Sequence, residues 1–222
     1  MKSKILTMLQ LQQKLNDGTN GLGWEDGKTN KGKLINWRRC IYLEAAELIE
    51  SYPWKHWKNI DAKPDYDNIK VELVDIWHFV LSEILRVNKL ENKKSQDELS
   101  AKIEDAIANI EASKKSDFYE EIELIESFIK RLFCNFELIE FTKSFFELCY
   151  SLDLDFDSLY SLYIGKNILN KFRQEHGYKE GSYIKIWNGK EDNVVMQEIL
   201  HNNPDITPQE LYDSLEDAYS KL

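Results

Sequence analysis

The runs Ile41-Tyr-Leu-Glu44-Ala-Ala-Glu47-Leu-Ile and Val71-Glu72-Leu-Val-Asp75-Ile-Trp-His-Phe-Val-Leu81 constrain this chain more than any others. Each holds two carboxylates three residues apart, and on a helix residues i and i+3 project from nearly the same face. Glu44 falls inside the apolar stripe Ile41, Ala45, Leu48, while the second run is apolar almost all round except for Glu72, Asp75 and His78. A helix of that kind is buried, and an unpaired ionised carboxylate is very costly to bury. Two antiparallel helices that join the pairs would gather four negative charges, which bound cations hold ionised at least cost. An all-oxygen ligand set without cysteine favours a hard ion, Mg²⁺ or Mn²⁺, and so a metal site suited to phosphate chemistry. Two other readings compete: solvent-facing acids on amphipathic helices, and a di-iron site built from Glu-x-x-His pairs. Asp75-x-x-His78 supplies half of that motif, but neither carboxylate run holds a second copy.

Outward from these runs, the chain of 222 residues is 42% apolar, enough for a sizeable core, with only four prolines and nine glycines. Alternating strand-like runs bounded by turn residues are scarce, so the expected fold class is all-α, in one domain spanning residues 1–222. A net charge of −10 argues against a nucleic-acid polymer or an anionic membrane as partner. The charge is uneven: residues 165–190 hold six basic and two acidic side chains, +4, so the remainder carries −14. A basic segment in an acidic protein suits a small anionic ligand. Cys40, Cys134 and Cys149 lack metal-ligand spacing and read as reduced thiols of a cytoplasmic protein. No apolar run reaches the ~18 residues of a membrane span.

Ile5–Leu15 has helical periodicity and is expected to stop at Asn16-Asp-Gly18. A glycine-rich loop, residues 21–32, precedes a helix expected to start at Ile35 and to end before Pro53. The second carboxylate helix is expected from about Asp67 to Val87, and residues 88–120 as a variable, mobile loop with an exposed amphipathic helix. Two helical patterns fill residues 121–163, another spans about Leu159 to Gln174, and Thr207-Pro208 opens a last one.

The segment from Gly165 to Gly181 is the second element with chemistry in it. On a helix Lys166, Asn170 and Arg173 share a face with Asn167 beside them, and Arg and Lys suit phosphate oxygens. Tyr178 and Lys179 sit in a loop between Gly177 and Gly181, which lets it fold over a ligand or simply be a solvated turn. Gln12, Gln13 and Asn16 offer amide groups, whose donor and acceptor lie side by side like a nucleobase edge. Trp54 and Trp57 suit either packing or base stacking, and His78 either a core hydrogen bond or a ligand.

Gln13-x-x-Asn16, Glu44-x-x-Glu47, Trp54-Lys-His-Trp57-Lys58, Glu72-x-x-Asp75-Ile-Trp-His78-Phe79, Gly165-Lys-Asn-x-Leu-Asn170-x-Phe-Arg173-Gln and Trp187-Asn-Gly-Lys190-Glu-Asp-Asn193 together resemble the dimeric, all-α dUTPases. These belong to the all-α nucleoside triphosphate pyrophosphatase superfamily. The resemblance runs from about residue 5 to residue 200 and is closest to the bacterial, Campylobacter-type members. It implies a helical bundle with a rigid core carrying the carboxylate helices and a more mobile helical part. It also implies Mg²⁺-dependent hydrolysis of dUTP to dUMP and pyrophosphate, and of dUDP to dUMP and phosphate. By the same resemblance Glu44, Glu47, Glu72 and Asp75 ligate two or more Mg²⁺ ions, with Mn²⁺ as a substitute, and Glu47 deprotonates the attacking water. Gln13, Asn16 and Trp57 match uracil contacts, His78 the sugar 3′-hydroxyl, and Phe79 the packing against C2′ that excludes ribonucleotides. Lys166, Asn167, Asn170, Arg173, Tyr178 and Lys179 close over base and phosphates, and the protein is expected to be a homodimer. The rival reading is a pyrophosphatase of the same superfamily acting on another nucleotide, such as dCTP or a damaged one.

Overall fold

The structure, a computed structural model, describes residues 1–59, 61–113, 115, 117–134 and 136–222, with the side chain of Asn92 left aside. Among the described residues the chain is all-α apart from one short hairpin. Its helices are α1 (Lys2–Asn20), α2 (Trp37–Glu50), α3 (Tyr66–Val87), α4 (Gln96–Ile107), α5 (Phe118–Phe133), α6 (Leu138–Ser151), α7 (Phe156–Glu175), α8 (Asp192–Asn202) and α9 (Pro208–Tyr219). The strands β1 (Ile186–Trp187) and β2 (Lys190–Glu191) pair antiparallel. The contacts fall into two compact units, 1–159 and 160–222, with α7 crossing from one to the other. No described helix is long and apolar enough to cross a membrane.

In the first unit α2 packs most extensively on α3. Glu44 meets Glu72 and Asp75, Trp37 stacks on Phe79, and Arg38 pairs with Glu83. Positions fall along α2 as they rise along α3, so the two helices run antiparallel, as the carboxylate pairs require. The apolar back of α3 is the core: Leu73, Ile76, Trp77, Leu81 and Ile84 are fully buried. Trp77 stacks on Phe145 of α6, centroids 5.1 Å apart, and its Nε1–H donates to Met8 of α1 at 3.2 Å. Glu83, also buried, is held by Arg38 at 3.0 Å and Arg86 at 2.7 Å, which is how a carboxylate is tolerated there.

Three boundaries differ from the sequence expectation. Helix α1 does not stop at Asn16-Asp-Gly18 but runs on to Asn20. Asn16 is 4% exposed and bonded to α3, and that anchoring outweighs the ~1 kcal/mol that a helical glycine costs. The chain turns at Gly21 instead, with φ +88°, where a Cβ would lie 2.7 Å from the Asn30 side chain. Helix α2 starts at Trp37 rather than Ile35, because Asn36 accepts the Arg39 N–H at 2.9 Å and caps the helix. Helix α4, expected as exposed, buries Leu99, Ile103 and Ile107 and packs on α1 and α6 behind a Ser95/Glu98 capping box. The expectation for residues 88–120 also covers residues 114 and 116, which lie outside the described residues.

The second unit contains two elements not expected from periodicity, the hairpin and α8. Two-residue strands are too short to show alternation. The signal was in the turn: Asn188 and Gly189 have φ of +50° and +86°, the pattern for which Asn-Gly is favoured in two-residue hairpins. Phe172, Leu169, Trp187, Met196, Leu211 and Leu215 form this unit's core. Gly165 allows α7 to approach α8 closely, since a Cβ there would lie 2.7 Å from Leu200 and 2.9 Å from Met196.

Candidate active site

Glu44 on α2 and Glu72 and Asp75 on α3 each place a carboxylate oxygen within 4.8 Å of the others. Glu72 is buried and the other two half-buried. Asn68, one turn before Glu72, donates to it at 3.1 Å and to Ser51 at 2.8 Å, so a polar neighbour orients the buried acid. Two oxygens on opposite sides of Mg²⁺ stand about 4.2 Å apart. The three acids therefore lie within small side-chain rotations of a hard-cation shell, and an all-oxygen donor set fits such an ion. Glu47, the fourth expected carboxylate, is exposed on α2 and outside this trio. Burial first, and then the Glu44 carboxylate, push the Cys40 thiol above its ordinary value, so Cys40 is no ready nucleophile.

Beyond the acids along α3 stand His78 and Ser82, and from α1 come Gln12 and Asn16. His78 Nδ1 lies 2.9 Å from the Val74 carbonyl, which can only accept, so that nitrogen carries a proton. Ser82 receives Gln12 at 3.0 Å and Asn16 at 2.9 Å. The sequence offers Gln12 as one of three base-edge amides without a role of its own, and gives no sign of Ser82. Gln12 is the amide whose helical position turns it inward, and Ser82 falls one turn after His78 on the buried face. Gln13 points elsewhere: its amide donates to Asp17 and Glu25, each at 3.0 Å, and Asp17 also accepts Trp24 Nε1–H. Phe79 is half-buried and stacks on Trp37, rings 5.9 Å apart, with Trp24 edge-on to Trp37 at 5.6 Å.

The connector after α2 presents its tryptophans differently. Trp57 is 63% exposed and Trp54 half-buried, edge to face at 5.6 Å. Of the two, Trp57 is the more accessible to a ligand, although His56 packs against it with ring centroids 4.8 Å apart.

In the second unit, Arg173 reaches Asp192 through Nε and Nη2, both at 2.8 Å, a bidentate pair that is nearly buried. Burial works to raise the Asp192 carboxyl, but the Arg173 guanidinium and the Tyr183 hydroxyl outweigh it and hold the group below its ordinary range. Tyr183 donates to the same carboxylate at 2.8 Å, and its own phenol is raised by burial and by Asp192. Lys166 donates to Asn193 at 2.8 Å, and Arg173 Nη1 to Asn170 at 3.1 Å. Lys166 and Arg173 thus meet at Asn193, with Asn170 on Arg173, but the bidentate edge of Arg173 is turned to a carboxylate. Asn167 is 9% exposed, beside the buried Tyr163 phenol. Gly177 and Gly181, at φ +86° and +75°, bracket the exposed Tyr178 and Lys179. Asp192 lies within the quoted Trp187–Asn193 motif but carried no role of its own there, because it stands just past the basic segment, in a helix start that showed no periodic signal.

A family model described as dUTPase matches residues 4–178 of the chain. None of the curated proteins matches it.

Proposed function

The chain belongs to this dUTPase family and is a dUTP diphosphatase, and on that premise we propose a Mg²⁺-dependent enzyme that converts dUTP to dUMP and pyrophosphate and dUDP to dUMP and phosphate. The observation that carries the metal-dependent reading is the convergence of Glu44, Glu72 and Asp75 from two antiparallel helices. These three, with Glu47 from the next turn of α2, hold two or more Mg²⁺ ions, for which Mn²⁺ substitutes. When bound, the ions neutralise charge on the phosphate oxygens and lower the pKa of water.

The chain's own residues supply the rest. Glu47, exposed and unengaged by the trio, orients the attacking water and takes its proton. Asn16 reads the uracil edge, joined by the Gln13 carbonyl oxygen, since the Gln13 NH₂ is taken by Asp17 and Glu25, and the exposed Trp57 stacks on the base. His78 meets the sugar 3′-hydroxyl through Nε2, and Phe79, braced by Trp37, fills the space that a 2′-hydroxyl would need. Lys166, Arg173, Tyr178 and Lys179 meet the phosphates, with Arg173 held in place by Asp192. Asn167 contacts the base, whereas Asn170 is engaged with Arg173. The working unit is a cytoplasmic homodimer in which one subunit completes the other's site, with neither a nucleic-acid polymer nor a membrane as partner.

Product analysis after incubation with dUTP, dUDP, dCTP, dTTP and UTP, each with Mg²⁺ and with EDTA, tests this reading. Mg²⁺-dependent dUMP from both uracil nucleotides, with UTP spared, is the expected result. Equal cleavage of dCTP would replace the substrate, and turnover in EDTA would remove the metal.

A further inference from the structure

Ser82, Gln12 and Asn16 form a hydrogen-bond network with only one arrangement of its protons. The Ser82 hydroxyl donates to the His78 carbonyl at 2.8 Å, and a hydroxyl has a single proton to give. Its oxygen must therefore accept from Gln12 at 3.0 Å and from Asn16 at 2.9 Å. An amide that met this oxygen with its carbonyl would set lone pairs against lone pairs. Both side chains consequently turn their NH₂ groups to Ser82. Gln12 Nε2 also stands 3.3 Å from Asn16 Oδ1, an N–H facing a carbonyl, which agrees with that arrangement. Ser82 is fully buried and Gln12 and Asn16 are 2% and 4% exposed, so bulk water offers no alternative acceptor that would let the amides turn over.

We propose that Ser82, with Gln12, is a specificity-determining positioning residue: it locks the Asn16 amide in the single orientation that matches uracil and opposes cytosine. The chemistry of the bases makes orientation decisive. Uracil N3 is a donor flanked by carbonyl acceptors, whereas cytosine N3 is an acceptor beside an amino donor. A side-chain amide carries both functions and pairs with either base, according to which way it is turned. Free to rotate, it discriminates little. Fixed, it leaves the wrong base facing an unpaired buried group, the penalty that lets a polar site reject an analogue. Ser82 touches no substrate in this scheme and acts through Asn16. The inference rests on the uracil role proposed above for Asn16.

The test is kcat and KM for dUTP and dCTP in the wild type and in Ser82→Ala, Ser82→Thr and Gln12→Met, each with its Tm. Ser82→Ala is expected to lower the dUTP-to-dCTP ratio of kcat/KM by about tenfold, mainly through KM for dUTP. Ser82→Thr, which keeps the hydroxyl, should hold the ratio within about threefold of wild type, and Gln12→Met should lower it by a smaller factor than Ser82→Ala. A folded Ser82→Ala with the wild-type ratio, or one that slows both nucleotides alike, overturns the proposal. Where Ser82→Ala does not fold, an unchanged ratio in Gln12→Met overturns it. A wild type without preference for dUTP overturns the uracil reading and this inference with it, a result visible before any variant is compared.

Discussion

Glu47 stands on α2 one turn beyond Glu44, open to solvent, while Glu44 turns to Glu72 and Asp75. The division suits different work: acids that converge hold cations, and an acid beside them that water reaches moves a proton. Glu47→Gln is expected to lower kcat by about 10²–10⁴-fold, the usual contribution of a general base, with nucleotide affinity retained. Single-turnover kinetics beside equilibrium binding measures both, and full turnover in that variant would remove Glu47 from the role. Asp75→Asn should instead abolish the response to Mg²⁺, read as the loss of its effect on Tm. At this scale the sequence was informative about residue types and faces. It placed Glu44, Glu72 and Asp75 where they meet, but not Asp192, whose partner Arg173 lies 19 residues away in the chain. Spacing within one helix reports neighbours on that helix only, so a pair made between separate elements leaves no periodic trace.

Helices α2 and α3 show how a seam between two elements is assigned along its length. Acids occupy one stretch, the Trp37–Phe79 stack the next, and Arg38, Glu83 and Arg86 the last. Long periodic helices of this kind were legible, α3 to within a residue at its start, because fifteen of its residues are buried and the apolar pattern is correspondingly dense. Ends were less legible, since they depend on caps and anchors rather than on period. The last helix is the exception, for Thr207 and Glu210 form a capping box that Thr-Pro announces. Thr207→Ala should cost about 1 kcal/mol, measured as a shift in urea midpoint, and an unchanged midpoint would mean that the cap adds nothing to α9. Arg173→Ala should be far more costly, about 3–5 kcal/mol, because it strands the buried Asp192 carboxylate. A loss under about 1 kcal/mol would contradict the burial of that pair.

The whole molecule carries two opposed pH dependences. Asp192 is held below its ordinary range, so its contribution to stability is present above the unfolded carboxylate range and is lost as pH falls through its lowered value. Glu121 is raised, by burial first, although the Tyr52 hydroxyl works to lower it. Its contribution is therefore present in acid and is lost as pH rises through the raised value. Glu121→Gln should flatten the decline on the alkaline side of the ordinary carboxylate range, in unfolding midpoints taken across pH, and an unaltered slope would refute the assignment. On the proposed metal site, Mg²⁺ at a hundred times its Kd should stabilise the protein by about 2.7 kcal/mol, because only the folded state gathers the acids. A Tm indifferent to Mg²⁺ would oppose a metal site there. What composition and periodicity settled is the all-α class, the two carboxylate helices and the charge of the C-terminal segment, because each follows from local pattern and burial. Folding in three dimensions supplied the rest: which three acids meet, which way the Ser82-bound amides face, and that Arg173 is answered by Asp192. Those depend on distances between side chains far apart in the chain, and such distances exist only once the helices have packed.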